Sequence, residues 1–143
     1  MTVKAILSKK GADVLTIEPT KNLAAAARLL AEHAIGALVV TGPDRRIVGI
    51  VSERDVVHEL AAHGPAALEL PLTDVMTRRV MTCSLSDTII SVMERMTQGK
   101  FRHLPVIEQG RLAGIVSIGD VVKHRLQEME REQSALRDYI QTA

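Results

Sequence analysis

The chain has 143 residues, of which 46% are hydrophobic and 24% charged, and this is the composition of a globular domain rather than of a disordered segment. Its formal net charge is +1 and its only aromatic residues are one Phe and one Tyr, so neither a basic stripe nor a set of stacking side chains indicates a nucleic-acid partner. The single cysteine excludes an internal disulfide and a multi-cysteine metal site.

The sequence predicts neither a membrane-spanning segment nor a signal peptide. No apolar stretch approaches the roughly 20 residues that span a bilayer, and the first residues lack the apolar run of a signal peptide. We therefore expect a soluble, cytoplasmic protein with no membrane association and with a core of Val, Ile, Leu, Ala and Met.

The chain repeats itself, because residues 14–60 and 80–126 follow one pattern. Residues 14–17 align with 80–83, residues 36–40 with 102–106, residues 47–52 with 112–117, and Asp55 with Asp120. The offset is 66 at first and 65 after the hairpin, so the first hairpin turn is one residue longer. Repetition at this length indicates two copies of one supersecondary unit.

In each copy, the residue pattern predicts the order strand, helix, strand, strand, helix. The first helix has Thr20 or Ser86 in its N-cap region. Two runs rich in β-branched residues follow, joined by turn residues at 42–45 and 108–110, and the last helix begins at a Ser-x-x-Asp. The apolar residues that recur at helical spacing in the first helices are Leu23, Ala27 and Leu30 in one copy and Ile89, Met93 and Met96 in the other.

These elements predict a mixed α/β fold of two βαββα repeats, at residues 8–63 and 74–130, with a linker at 64–73 that contains Pro65 and Pro71. Two units of about 50 residues are each small for independent stability, so we expect their sheets to pack about a pseudo-twofold axis and to leave two equivalent clefts.

An extended C-terminal helix is predicted over residues 120–141. Its apolar residues follow 4-3-4-3-4 spacing with one polar interruption, at Val122, Leu126, Met129, Gln133, Leu136 and Ile140. We call these six positions the seam. Heptad spacing of this kind favours a homodimer, and the alternative is that the helix folds back onto its own domain.

Residues 49–55 (Gly-Ile-Val-Ser-Glu-Arg-Asp) and 114–120 (Gly-Ile-Val-Ser-Ile-Gly-Asp) resemble the motif of the cystathionine beta-synthase (CBS) domain family. Residues 35–40, 102–106 and 74–77 support the resemblance, which covers nearly the whole chain. It implies a stand-alone CBS pair that binds adenosyl compounds (AMP, ADP, ATP, NAD(H) or S-adenosylmethionine) in its clefts and commonly forms flat homodimers.

The resemblance also implies one set of ligand contacts in each repeat. Asp55 and Asp120 would hold the ribose hydroxyls, because one carboxylate accepts from both donors of a vicinal diol. Ser52 and Ser117 would meet the phosphate where a helix begins. The remaining contacts would be Thr16 and Thr82 with Ile17 and Cys83 at the base through backbone groups, Ala37 and His103 on the second strand, and Arg54 and Arg102 at the phosphate.

Each assignment has a purely structural alternative. Ser-x-x-Asp is close to a capping box, His103 is equally a strand-edge histidine, and Cys83 is a small core residue. The copies also differ, because the second replaces Glu53-Arg54 by Ile118-Gly119 and gains basic residues at 100 and 102. Whether both clefts bind therefore stays open.

No Walker loop, metalloprotease motif or nucleophile elbow is present, so the sequence predicts no enzyme, no catalytic cofactor and no metal site. The leading hypothesis is a sensor that binds an adenine nucleotide and signals to a partner protein. The alternative hypothesis is a constitutive scaffold whose nucleotide clefts are vestigial.

Overall fold

The computed structural model describes residues 1–142. The helices are α1 (Val3–Lys10), α2 (Leu23–His33), α3 (Glu53–His63), α4 (Leu72–Val75), α5 (Ile89–Gly99) and α6 (Ile118–Thr142). The strands are β1 (Thr16–Ile17), β2 (Ala37–Thr41), β3 (Ile47–Ser52), β4 (His103–Glu108) and β5 (Arg111–Ser117). Short 3-10 helices lie at Pro43–Arg45 and Gly64–Glu69. This order is the predicted mixed fold of two repeats.

The first repeat forms a three-stranded sheet in the order β1-β2-β3. Strand β1 runs parallel to β2, and β2 runs antiparallel to β3 with Ala37 opposite Ser52. The central strand β2 is buried along Ala37–Val40, which explains its unbroken apolar run.

The second repeat keeps β4 and β5 but reduces its first strand to a single parallel bridge between Cys83 and Val106. This bridge repeats the Ile17–Val40 pair of the first sheet at the offset of 66. The preceding carbonyl, that of Thr82, accepts a hydrogen bond from Arg95 Nη1 at 2.9 Å. The carbonyl next to the bridge is therefore bonded by the Arg95 side chain, and the strand predicted at residues 80–83 is shorter than β1.

In both repeats the N-cap of the first helix lies two residues later than the predicted Thr20 and Ser86. Asn22 caps α2 by accepting from the Ala25 N–H, and Thr88 caps α5 by accepting from the Ser91 N–H. Thr20 instead lies inside a turn closed by the Lys21 N–H on the Glu18 carbonyl at 3.2 Å. A matching turn, closed by the Asp87 N–H on the Ser84 carbonyl, contains Ser86.

The chain divides into two compact units whose boundaries do not follow the repeats. One unit contains residues 13–81 and 108–113, and the other contains residues 1–12, 82–107 and 114 onward. The segment that precedes each repeat therefore belongs to the unit of the other repeat. Helix α1 packs with the second repeat, and α4 packs with the first.

Each of these leading segments lies on the glycine of the other repeat's motif. A Cβ on Gly114 would come within 2.7 Å of Leu7 Cδ1, and a Cβ on Gly49 would come within 2.6 Å of Met76 Sδ. Leu7 and Met76 occupy matching positions ahead of their repeats. Both glycines are thus explained by close packing, since any side chain there would displace a buried neighbour.

The seam on α6 is exposed in the chain. Val122, Leu126 and Met129 expose 42, 55 and 43% of their surface, and every residue from 129 to 142 is exposed. The alternative that this helix folds back onto its own domain is therefore wrong for the distal half. Within residues 1–142, no helix has the length and apolar character needed to cross a bilayer.

Candidate functional site

The two Ser-x-x-Asp motifs form the same hydrogen-bonded ring at the starts of α3 and α6. The Asp55 N–H donates to Ser52 Oγ at 3.2 Å, and the Ser52 N–H donates to Asp55 Oδ2 at 2.8 Å. In the second repeat the matching distances for Ser117 and Asp120 are 3.1 and 2.9 Å. The capping interpretation is thus confirmed in both copies.

In the first repeat, the predicted site residues gather at one edge of the sheet. Ala37 begins β2 directly opposite Ser52 at the end of β3. Thr16 begins β1, which runs parallel to β2 on its other side, and Ile17 follows it. Asp55 lies at this edge because its cap bonds it to Ser52.

The second repeat builds the same edge. His103 is the first residue of β4 and is half-buried, and Ser117 is the last residue of β5. The Ile118 N–H donates to the Arg102 carbonyl at 2.8 Å, just as the Glu53 N–H donates to the Gly36 carbonyl at 3.0 Å. These paired bonds fix the start of each helix against the start of the repeat's second strand.

The helix starts offer fewer free amides than the sequence suggests. In α3, the N–H groups of Glu53 and Asp55 are already bonded, which leaves that of Arg54. In α6, the N–H groups of Ile118 and Asp120 are bonded, which leaves that of Gly119. An anion at either helix start would thus rely on one backbone donor together with side chains.

Cys83 is a structural residue of the second repeat. Its N–H donates to the Pro105 carbonyl and its carbonyl accepts from the Ile107 N–H, both at 2.9 Å. Burial raises the pKa of its thiol to about 12, while Arg95 lowers the pKa and Asp87 raises it. A thiol with this pKa stays protonated near neutral pH, which agrees with the core interpretation and argues against a reactive role.

Lys10 belongs to the candidate site of the second repeat, although the sequence does not predict it there. Its ammonium lies 2.6 Å from Asp120 Oδ2 and 2.8 Å from the Ile115 carbonyl, although it is 110 positions away from Asp120 in the chain. Burial raises the pKa of Asp120, but the hydrogen bonds from Lys10 and Ser117 outweigh this and hold the pKa below its usual range. The described residues place no such cation on Asp55.

The side chains of Arg54 and Arg102 are exposed, and within residues 1–142 neither guanidinium forms an ion pair. Both are therefore able to reorient toward a bound anion. Across the same part of the chain, no three His, Cys, Asp or Glu side chains converge as a metal site would require.

His124 lies one turn beyond Asp120 on α6 and is buried, with no hydrogen-bond partner for Nδ1 within residues 1–142. Burial and the charges of Lys9, Lys123 and Arg131 lower the pKa of His124 below 6.5, while Asp120 opposes them. The unfolded chain then binds the proton more readily than the folded chain. We expect the free energy of unfolding to fall as pH drops from 7.5 to 5.5, by at most about 1.4 kcal/mol per pH unit.

Urea unfolding at several pH values measures this slope. His124→Gln should flatten it, whereas His58→Gln, at an exposed position, should leave it unchanged. Carboxylates with lowered pKa lose their contribution to stability only below about pH 5, outside the measured range. An equal slope in the wild type and in the His124 variant would contradict the prediction.

Comparison with known proteins agrees with the repeats. The profile of the CBS domain matches residues 3–62 and again 72–127. The CBS domain-containing protein CBSX3, mitochondrial, of Arabidopsis thaliana is 33% identical over 120 residues, which are 81% of this chain and 58% of that protein. The chain thus spans little more than half of this relative.

Solved structures match over nearly their full length. The CBS-domain protein ATU1752 from Agrobacterium tumefaciens is 48% identical with a TM-score of 0.84, over 87% of this chain and 99% of that one. The CBS domain pair of MJ0100, solved with 5′-methylthioadenosine and S-adenosyl-L-methionine, is 26% identical with a TM-score of 0.79, over 90% of this chain and 98% of that one.

Proposed function

This chain belongs to the CBS domain family, and we propose that it is a non-catalytic regulatory module that binds an adenine nucleotide at the capping aspartate of each repeat. The bound state would be read by a partner protein in the cytoplasm. The observation that carries the proposal is the identical placement of Asp55 and Asp120, each at the start of a helix beside the first residue of a buried strand.

Both carboxylates keep one oxygen atom that could accept hydrogen bonds from a ribose. The backbone hydrogen bonds of the caps fall on Oδ2 in Asp55 and in Asp120. Oδ1 is then the oxygen that would accept from the ribose hydroxyls, and a charged acceptor forms the stronger kind of hydrogen bond. The adenosyl ligands of MJ0100 support this ligand class.

The nearby cations favour phosphorylated members of that class, namely AMP, ADP, ATP and NAD(H). Arg54 and Arg102 flank the helix starts with exposed guanidinium groups, which match a phosphate in shape and charge. The base would lie against the first strand of each repeat, beside Thr16 and Ile17 in one and Thr82 and Cys83 in the other. Both backbone groups of Cys83 are bonded within the sheet, and the Thr82 carbonyl accepts from Arg95, so among the described residues the Thr82 N–H is the free backbone group of the second pair.

Thermal unfolding against AMP, ADP, ATP, NAD, NADH, S-adenosylmethionine and 5′-methylthioadenosine, with GMP as the control ligand, tests the proposal. A ligand at 100 times its dissociation constant stabilises the folded state by about 2.7 kcal/mol, which corresponds to a shift of several degrees. We expect adenine-selective stabilisation in the wild type and its loss in Asp55→Asn/Asp120→Asn, which keeps a capping oxygen.

The matched control is Asp44→Asn/Asp138→Asn, which removes the same charge from two exposed positions. This variant should respond to ligands as the wild type does. No shift with any adenine compound would overturn the sensor proposal and favour the scaffold hypothesis, in which the partner contact persists without ligand.

We also propose that the second copy of the chain covers the seam as a parallel coiled coil. Spacing assigns Leu126, Gln133 and Ile140 to the a positions of the heptad and Val122, Met129 and Leu136 to the d positions. Beyond residue 128 the helix has 14 exposed residues, a length that is marginally stable in water without a partner. Burial of the seam would supply the missing stabilisation.

Charges beside the seam favour the parallel arrangement. In a parallel pair, each g position faces the e position five residues later on the other helix. Arg125 would then face Glu130, and Glu132 would face Arg137, so both contacts join opposite charges. The polar Gln133 at an a position would fix the register, because any shift would place it against an apolar side chain.

A further inference from the structure

The two repeats differ in the charge that surrounds the capping aspartate. Lys10 pairs with Asp120, and the side chains of the two residues expose 32 and 23% of their surface. The ammonium also donates to the Ile115 carbonyl, so two of its three N–H donors are fixed and one remains for a ligand. In the first repeat, Asp55 accepts only from Ser52 among the described residues.

The serines of the two caps behave alike, so Lys10 is what distinguishes the second cap. In the first repeat the Ser52 hydroxyl donates to Asp55 Oδ2 at 3.1 Å. In the second repeat the Ser117 side chain likewise forms a hydrogen bond to Asp120, and the ammonium of Lys10 adds a contact of 2.6 Å to Asp120 Oδ2. The difference in charge between the two caps therefore comes from Lys10.

The residue after each serine strengthens the contrast. The first repeat has Glu53 and Arg54 there, and with Asp55 these side chains sum to one negative charge. The second has Ile118 and Gly119, and Lys10 cancels the charge of Asp120. The free N–H at the start of α6 is that of Gly119, where no side chain restricts the approach of an anion.

We propose that Lys10 makes the second repeat selective for phosphorylated adenosyl ligands, while the first repeat discriminates less and accepts adenosyl ligands with or without a phosphate. The selection rests on the nucleotide site proposed above. A polyphosphate would meet the third donor of Lys10 and the Gly119 N–H without facing an uncompensated carboxylate. At Asp55 the same ligand would meet Arg54 but also the carboxylates of Glu53 and Asp55, and the three side chains sum to one negative charge.

Calorimetric titration with ATP and with 5′-methylthioadenosine tests the selection in two backgrounds. Asp55→Asn confines strong binding to the second repeat, and Asp120→Asn confines it to the first. In the Asp55→Asn background we expect ATP to bind more tightly than 5′-methylthioadenosine. Adding Lys10→Met should weaken ATP about tenfold, since it removes one partly exposed charge, and should leave 5′-methylthioadenosine unchanged or tighter.

Three variants separate charge selection from damage to the fold. Lys10→Arg should restore the preference for ATP, and Lys4→Met, an exposed lysine on the same helix, should leave it unchanged. In the Asp120→Asn background Lys10→Met should have no effect on either ligand. An unchanged ratio of ATP to 5′-methylthioadenosine affinity in Lys10→Met would overturn the role of Lys10 alone. Absence of binding that depends on Asp120 in the wild type would overturn the site and the selection together.

Discussion

Leu136→Glu should dissociate the proposed coiled-coil dimer into monomers at micromolar concentration. Leu136 exposes 59% of its surface in the single chain and occupies a d position of the seam. Twofold symmetry would bring both glutamates into the same layer of the coiled coil, where each loses solvent and faces a like charge. We expect the dimer dissociation constant to rise by about a hundredfold or more, as measured by sedimentation equilibrium.

Charge substitutions test the parallel register itself. Arg137→Glu would place two glutamates opposite each other in both symmetry-related contacts and should weaken the dimer by roughly tenfold. The double variant Glu132→Arg/Arg137→Glu restores opposite charges and should recover most of the affinity. Arg131→Glu, the same change at a position remote from the seam, should have little effect. A dimer that tolerates Leu136→Glu, or a charge swap that fails to recover affinity, would contradict the coiled coil.

The sequence predicts the repeated elements well because the signals for them are local. The turn residues at 42–45 and the Ser-x-x-Asp motifs act on neighbours within a few positions, and the structure places strands and helix starts where they indicate. The N-caps of α2 and α5 lie two residues after the predicted positions for a related reason. Thr20 and Ser86 are equally good turn residues, and the closing hydrogen bonds that decide between the two roles depend on the preceding backbone.

The partners of the candidate site are harder to predict, because they come from distant parts of the chain. Lys10 and Asp120 meet although 110 positions separate them, and no spacing rule connects them. Only the exchange of leading segments between the units brings α1 to the second repeat. The motif glycines are consistent with this exchange, since a glycine at the matching position of both repeats leaves room for a packed side chain, but the sequence does not say which side chain packs there.

Ile6→Ala should destabilise the protein by about 2–5 kcal/mol, the cost of truncating a fully buried aliphatic side chain. Ile6 lies in α1, which is tied to the second repeat by the Val3 N–H on the Asp87 carbonyl at 2.9 Å and by the N-terminal amine on Glu128 at 2.8 Å. If α1 were a loosely attached leader, the same truncation would cost little. The free energy of unfolding from urea titration distinguishes the two cases.

Lys4→Ala is the matched control, because Lys4 lies on the same helix with an exposed side chain and should change the free energy of unfolding by no more than about 0.5 kcal/mol. A loss below 1 kcal/mol for Ile6→Ala would show that α1 contributes little to the second unit. A loss in the expected range has a consequence for ligand binding as well. Helix α1 delivers Lys10 to Asp120, so the packing of Ile6 and Leu7 holds in place the charge that we propose selects phosphorylated ligands at the second repeat.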